Sequence, residues 1–373
     1  MNRTYLQRLA IALLAVAAAL VVTGHAQAAD NALPNPFTLY DFDAFPKNVV
    51  VESAGSIWFT FPDADKLGVV TLAGSQTQAV TAPVQYFPTG NATKPYDLVI
   101  SNGAVWVTLL GANQIGRFDL VTHALTTYPI PTPNSEPTGI TAGGGFIWFV
   151  ERKGDNLGRL NPATGVIDEY TDKISTDDNL VDMTGAELED VAYSNAGPWF
   201  TGPKFRTSVA LYKTSTSKFI GAPAGGGAQP MQIWVDSQND TWITAKGFNQ
   251  IGRFGLNTLS LWDWYDLSAP PAGVDKATAG PVGLFVQERD GMRETLFTRP
   301  DINRAGRLIT KMDGGRMGQT ESELPIANSA PWGISDDGNG NVWIATTGSK
   351  QVVEWSAPYF AAFMYLPIVT YPK

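Results

Sequence analysis

Glu136 and Glu151 are the acidic residues whose type and spacing best suit chemistry. Glu136 precedes Pro137-Thr138-Gly139-Ile140, and Glu151 follows Trp148-Phe149-Val150. Pairing of these two runs as strands would bring both carboxylates to matching ends of neighbouring strands. Oxygen ligands of that kind suit a hard cation, Mg2+ or Ca2+. Tyr96, Asp97, Glu187 and Trp332 sit at the entries to comparable short strands and are the expected ligand-binding residues, the two aromatics offering stacking faces. The chain has no Cys, which removes thiolate nucleophiles, thiolate metal ligands and disulfides. Beyond residue 25 its one His is His123, inside the polar stretch Asp119-Leu120-Val121-Thr122-His123-Ala124, which reads as an exposed turn. A general base works within about 3 Å of the proton it removes. A turn at the opposite rim from Glu136 does not meet that condition.

The elements that must carry these residues are set by a long-period repeat. A short apolar run centred on an aromatic recurs at Trp58, Trp106, Trp148, Trp199, Trp242, Phe297 and Trp343, with spacings of 48, 42, 51, 43, 55 and 46 residues. Each unit reads as four short strands. An inner strand follows a Pro, as in Glu136-Pro137-Thr138-Gly139-Ile140 and Ala330-Pro331-Trp332-Gly333-Ile334. The aromatic strand comes second, and a third opens with Asn-x-Ile/Leu-Gly-Arg, as at Asn113, Asn156 and Asn249. A Thr- and Tyr-rich strand such as Leu125-Thr126-Thr127-Tyr128 is outermost. Near-continuous apolar runs fit sheets buried on both faces, as radially packed blades are. The expected fold is all-β, a seven-bladed β-propeller, with a two-domain β-sandwich as the alternative. Phe37 to Phe42 should supply the missing outer strand of the last blade and remove its exposed edge; the apolar tail is the other possible donor. One face should then carry Asp63, Asp65, Lys94, Tyr96, Asp97, Glu136, Glu151, Arg152, Glu187, Lys204, Lys246, Arg299 and Asp301 around the central channel.

Composition narrows the setting. Of 373 residues, 44% are hydrophobic and 11% aromatic but only 16% charged, which argues against disorder. With 37 Gly and 25 Pro, about one residue in six breaks regular structure, which suits many tight turns. Arg3 and Arg8, the apolar run Leu9 to Val22 and Ala26-Gln27-Ala28 form the pattern of a secretory signal peptide. The domain reading is therefore a signal peptide at 1–28, a propeller at 29–357 and a C-terminal tail at 358–373. It places the mature chain in the periplasm or outside the cell. The apolar run is short for a transmembrane helix, and no later segment is longer. Loss of the two arginines takes the net charge from −9 to −11. A chain that acidic repels phosphate backbones, so nucleic acid is excluded as a partner. The expected partner is a small-molecule, glycan or protein ligand at the channel mouth of a monomer.

The combination of Pro-x-Gly-Ile, Trp-Phe-Thr/Val-Glu and Asn-x-Ile-Gly-Arg in one repeat resembles the streptogramin B lyases (the virginiamycin B lyase family) over residues 37 to 356. The resemblance implies a seven-bladed propeller with a divalent metal, usually magnesium, that polarises a substrate ester. It also implies a His that takes part in proton abstraction as a cyclic depsipeptide is opened by elimination. That base lies in a Glu-Pro-His-Gly-Ile motif, and a second Glu follows the Trp-Phe of the same blade. Glu136 and Glu151 match the two carboxylates, Glu151 lying one residue closer to its Trp than in the family pattern. Thr138 stands at the His position. The equivalent residues of other units, Tyr96, Met231, Val282 and Trp332, include no His. Tyr96 follows a Pro, as does a substrate-contacting Tyr of the family. Threonine without an activating neighbour is a poor base. The expectation is therefore an exported ligand- or partner-binding propeller without the His-dependent reaction. A metal-dependent C–O lyase or lactone hydrolase using Glu136 and Glu151, and a purely structural extracellular module, are the alternatives.

Overall fold

The computed structural model describes residues 37–356 except 53–54, 72–83, 172–173, 177–178, 182, 206–207 and 256–261. The segments read from sequence as a signal peptide and a C-terminal tail lie outside the described residues. Seven sheets follow one another along the chain, six of them four-stranded and antiparallel and one six-stranded with a single parallel pair. The seven-bladed propeller is as the repeat predicts, and no helix among the described residues is long and apolar enough to cross a membrane. Inner strands begin at Val49, Pro95, Pro137, Val191, Pro230, Leu284 and Pro331. The ring closes through its N-terminal strand: Phe37–Asp41 pairs antiparallel with Gln351–Ser356, Phe37 opposite Trp355 and Asp41 opposite Gln351.

The repeat motif has a packing reason at each position. Trp58, Trp106, Trp148, Trp199, Trp242 and Trp343 are buried in the second strands, with at most 4% of their surface exposed. In the third strand the Arg of Gly-Arg lies opposite the Trp, as Arg117 does to Trp106, Arg159 to Trp148 and Arg253 to Trp242. Each guanidinium sits over that indole at 5.8 to 5.9 Å from the ring centroid, within cation–π range. The Gly before it leaves no room for a side chain, against Val107 at Gly116, Trp264 at Gly252 and a second-strand aromatic at two others. A Cβ at Gly158 would come within 2.1 Å of the Phe149 ring, and one at Gly306 within 2.3 Å of Phe297. The leading Asn turns the corner in the left-handed region, with φ of 59° at Asn113, 55° at Asn249 and 56° at Asn303. Its amide then ties the blade to its neighbour: Asn113 Oδ1 accepts from the Ser135 amide, and Asn303 Oδ1 from that of Ser329.

Two details depart from the sequence reading. In the sixth blade Phe297 lies opposite Gly306 and Leu296 opposite Arg307, so Leu296 holds the Trp position and Phe297 is the residue after it. The long spacing before the fourth blade is filled by an extra hairpin, Ile174–Thr176 and Asn179–Val181, which joins the outer edge of that sheet through Ser175 and Ile220.

Candidate functional site

The seven inner strands open with equivalent residues, and the second of each set ranges from partly exposed at Lys47, Tyr96 and Trp332 to fully buried at Thr138 and Val282. In blade order these are Lys47, Tyr96, Thr138, Glu189, Met231, Val282 and Trp332. Four of them meet across the opening. The Lys47 Nζ lies 3.1 Å from the Trp332 ring centroid and 4.7 Å from that of Tyr96. The Tyr96 hydroxyl donates to Glu189 Oε1 at 2.8 Å. Arg152, from the turn after the second strand of blade three, donates to both the Tyr96 oxygen and Glu189 Oε2, each at 2.8 Å. Burial holds the Tyr96 hydroxyl protonated, its pKa well above the phenol range, and the Glu189 charge acts in the same direction. Burial alone would lower the pKa of Arg152; the facing Glu189 and Tyr96 more than offset it.

The next residue is Gly in three strands and polar in the other four, Asn48, Asp97, Asp190 and Gln232, which build a polar layer below the opening. Asp97 Oδ2 accepts the amide of Ile140 at 3.0 Å, Asp190 Oδ2 that of Ile233 at 2.9 Å, and Gln232 Oε1 that of Leu284 at 2.7 Å. Each side chain thus bonds an inner strand of a following blade. They line a central cavity of about 220 Å3 walled by residues of all seven inner strands. Burial raises the Asp97 carboxyl to about 7, against the pull of the Ile140 and Leu98 amides. Asp190 is raised well above the carboxylate range, first by burial and then by Asp97.

Thr138 has a different environment. Five second strands end in a Thr whose hydroxyl donates to the carbonyl of the next blade's second residue: Thr60 to Tyr96, Thr108 to Thr138, Thr201 to Met231, Thr244 to Val282 and Thr298 to Trp332, at 2.7 to 3.0 Å. Blade three has Val150 there. Thr138, fully buried, instead donates its own hydroxyl to the Leu188 carbonyl at 3.0 Å, and the Gly139 amide bonds the Glu189 carbonyl. Thr138 is thus a blade-to-blade tie.

Of the residues singled out from sequence, Tyr96, Asp97 and Trp332 are gathered at the axis. Glu187 is not: it forms a half-exposed ion pair with Lys204 at 2.7 Å. Glu136 pairs with Lys153 at 2.5 Å. Glu151 is fully buried and accepts from Asn156 Nδ2 at 3.0 Å. Burial, then the nearby Glu169 charge, pushes its carboxyl up to about 8. Glu136 is already ion-paired, and among the described residues no group of three or more His, Asp or Glu could hold a metal. Asp65 is a turn staple that accepts the amides of Ala92 and Lys94. Arg299, expected at the mouth, is buried and bonds Glu321 and the Ala279 carbonyl. His123 is exposed at a turn, against Phe87 and Phe118. Lys47 was not singled out because its strand reads Pro46-Lys47-Asn48-Val49 and lacks the Gly of Pro-x-Gly-Ile. Aligning on the Pro and the apolar residue alone would have found it.

Comparison with known proteins bears on this geometry. The model of the virginiamycin B lyase family matches residues 28–179, which span the closing strand and the first three blades. A streptogramin B lyase structure is similar at 26% identity, over 85% of this chain and 97% of that one, with a TM-score of 0.69. Virginiamycin B lyase from Staphylococcus aureus, also solved as a catalytically inactive form with quinupristin, is similar at 22% identity over 85% and 98% of the chains, with the same TM-score. A more distant propeller, solved bound to a peptide, shares the fold at 9% identity over 87% and 97% of the chains, with a TM-score of 0.57. No curated protein sequence matches the chain.

Proposed function

We propose, on the premise that this chain is a virginiamycin B lyase-like β-propeller, that it is an exported binding protein whose channel mouth engages a ligand or partner without the His-dependent elimination. The observation that carries this reading is Thr138: buried, and donating its hydroxyl to the Leu188 carbonyl, it offers neither a base nor a free oxygen to a bound molecule. The surroundings support it. Glu151 is buried and hydrogen-bonded to Asn156, and Glu136 already has Lys153. What the opening does offer is two aromatic faces, Tyr96 and Trp332, edged by charge, a surface suited to stacking a planar or cyclic group. That relatives were solved with quinupristin and with a peptide fits use of a propeller face for binding.

The test has two arms. Incubated with a streptogramin B depsipeptide and magnesium, the protein should leave the ring intact by mass spectrometry. Catalytic accumulation of the opened product would overturn the reading. Peptide and glycan arrays probed with the wild type should return ligands that Trp332→Ala binds at least tenfold more weakly. Equal binding by the variant would move the site away from the mouth.

A further inference from the structure

One charged side chain at the channel mouth has no hydrogen-bond partner among the described residues. Lys47 is fixed through its backbone, its amide donating to the Thr60 carbonyl and its carbonyl accepting from Gly333. Its amino group reaches over the opening, 3.1 Å from the Trp332 centroid and 4.7 Å from that of Tyr96. The neighbouring ions are paired, Arg152 with Glu189 and Tyr96 with both. An ammonium has three donors to satisfy, and one set against aromatic faces with no protein acceptor is poorly solvated. The charged groups that face it are Glu189 and Asp97, which favour the ammonium, and Arg152, which opposes it. Burial outweighs them and lowers its pKa to about 7. The Tyr96 hydroxyl stays protonated. Lys47 and Trp332 are only partly buried, so a small molecule can reach the amine from outside. Asp97, in the cavity just below, is a carboxyl that can carry a proton near neutral pH.

We propose that Lys47 is a nucleophilic amine that captures small aldehydes or ketones entering the channel mouth as an imine. The Nζ lone pair attacks the carbonyl carbon, the C=O π pair moves to oxygen, and a proton passes from nitrogen to that oxygen to give a carbinolamine. The hydroxyl then takes the Asp97 proton and leaves as water while the nitrogen lone pair forms C=N. The products are a protonated imine, an Asp97 carboxylate and one water, with no oxidant or reductant consumed. Desolvation in an apolar setting is a general way to activate a lysine for this chemistry. The proposal shares its location with the binding function above but not its chemistry.

The test is reductive trapping on the full mature chain: acetaldehyde and cyanoborohydride at pH 7, followed by peptide mapping. Lys47 should be labelled at least tenfold faster than the exposed Lys153 and Lys204. Its rate should level off above pH 7 to 8, while theirs keep rising with pH. Lys47→Arg should lose that label alone. Because the mapping is done on the wild type, a poorly folding variant does not spoil the test. Label spread evenly over exposed lysines, or a Lys47 rate that rises with pH as theirs does, would overturn the proposal. Selective labelling with no array ligand would instead sink only the binding function.

Discussion

Glu151 carries its charge problem on a single side chain. In the unfolded chain its carboxyl ionises near 4.5; in the native state burial and Glu169 hold the proton on until about pH 8. Between those values the native protein binds one proton more than the unfolded chain, so stability falls as pH rises through this window, by up to about 1.4 kcal/mol per pH unit, and is flat outside it. Glutamine keeps the acceptor for Asn156 and cannot ionise. Glu151→Gln should therefore be more stable than the wild type at pH 7.5 by on the order of 2 kcal/mol, and equal to it near pH 4, as read by urea titration at the two pH values. A metal-ligating Glu151 would behave oppositely: its loss would lower stability in the presence of magnesium. The sequence showed that Glu151 exists beside Glu136. It could not show that one faces Lys153 and the other the interior, because that choice is made by side chains of the following turn and of the neighbouring strand.

At the scale of one blade, the close approach of strands decides which residues are tolerated. Gly158 lies opposite Phe149 with room for a hydrogen and no more, since a Cβ would sit 2.1 Å from the ring. Gly158→Ala should cost about 1–3 kcal/mol through overpacking and ring displacement, seen as a lowered thermal midpoint with unchanged far-ultraviolet circular dichroism. Gly338, at a positive φ of 77° with nothing within 4 Å, faces open space and would report backbone strain alone. The two substitutions thus separate a packing glycine from a conformational one. The Asn-x-Ile-Gly-Arg motif was legible as a repeat from sequence. Its reasons, a left-handed corner, a ring in van der Waals contact and a guanidinium over an indole, needed the register of adjacent strands. Blade six makes the point: without register, Phe297 passes for the Trp equivalent that Leu296 is.

The whole ring depends on a strand from the opposite end of the chain. Tyr40 packs on Trp343 at 5.1 Å between centroids and Phe37 on Trp355 at 6.1 Å, while Phe42 reaches into blade one against Phe59. A chain lacking residues through Phe42 would leave the Gln351–Ser356 edge unpaired and those rings exposed. It should melt at least several degrees lower and elute with a soluble oligomer or aggregate fraction by size-exclusion chromatography. A monomer with the wild-type midpoint would show that closure contributes little. Around the axis, closure also sets the mouth, since Lys47 of the first blade meets Trp332 of the last.

The sequence by itself determined the architecture: seven units, their strand order and the closing strand. It could do so because burial on both sheet faces writes a local, periodic pattern that survives divergence. Tertiary structure decided the site. Lys47, Tyr96, Glu189 and Trp332 come from four blades, far apart in the chain, and nothing in their local sequence says that they converge. Whether each carboxyl is ionised, paired or buried follows from the charges and apolar walls that the closed ring brings around it, and those exist only once the last blade has met the first.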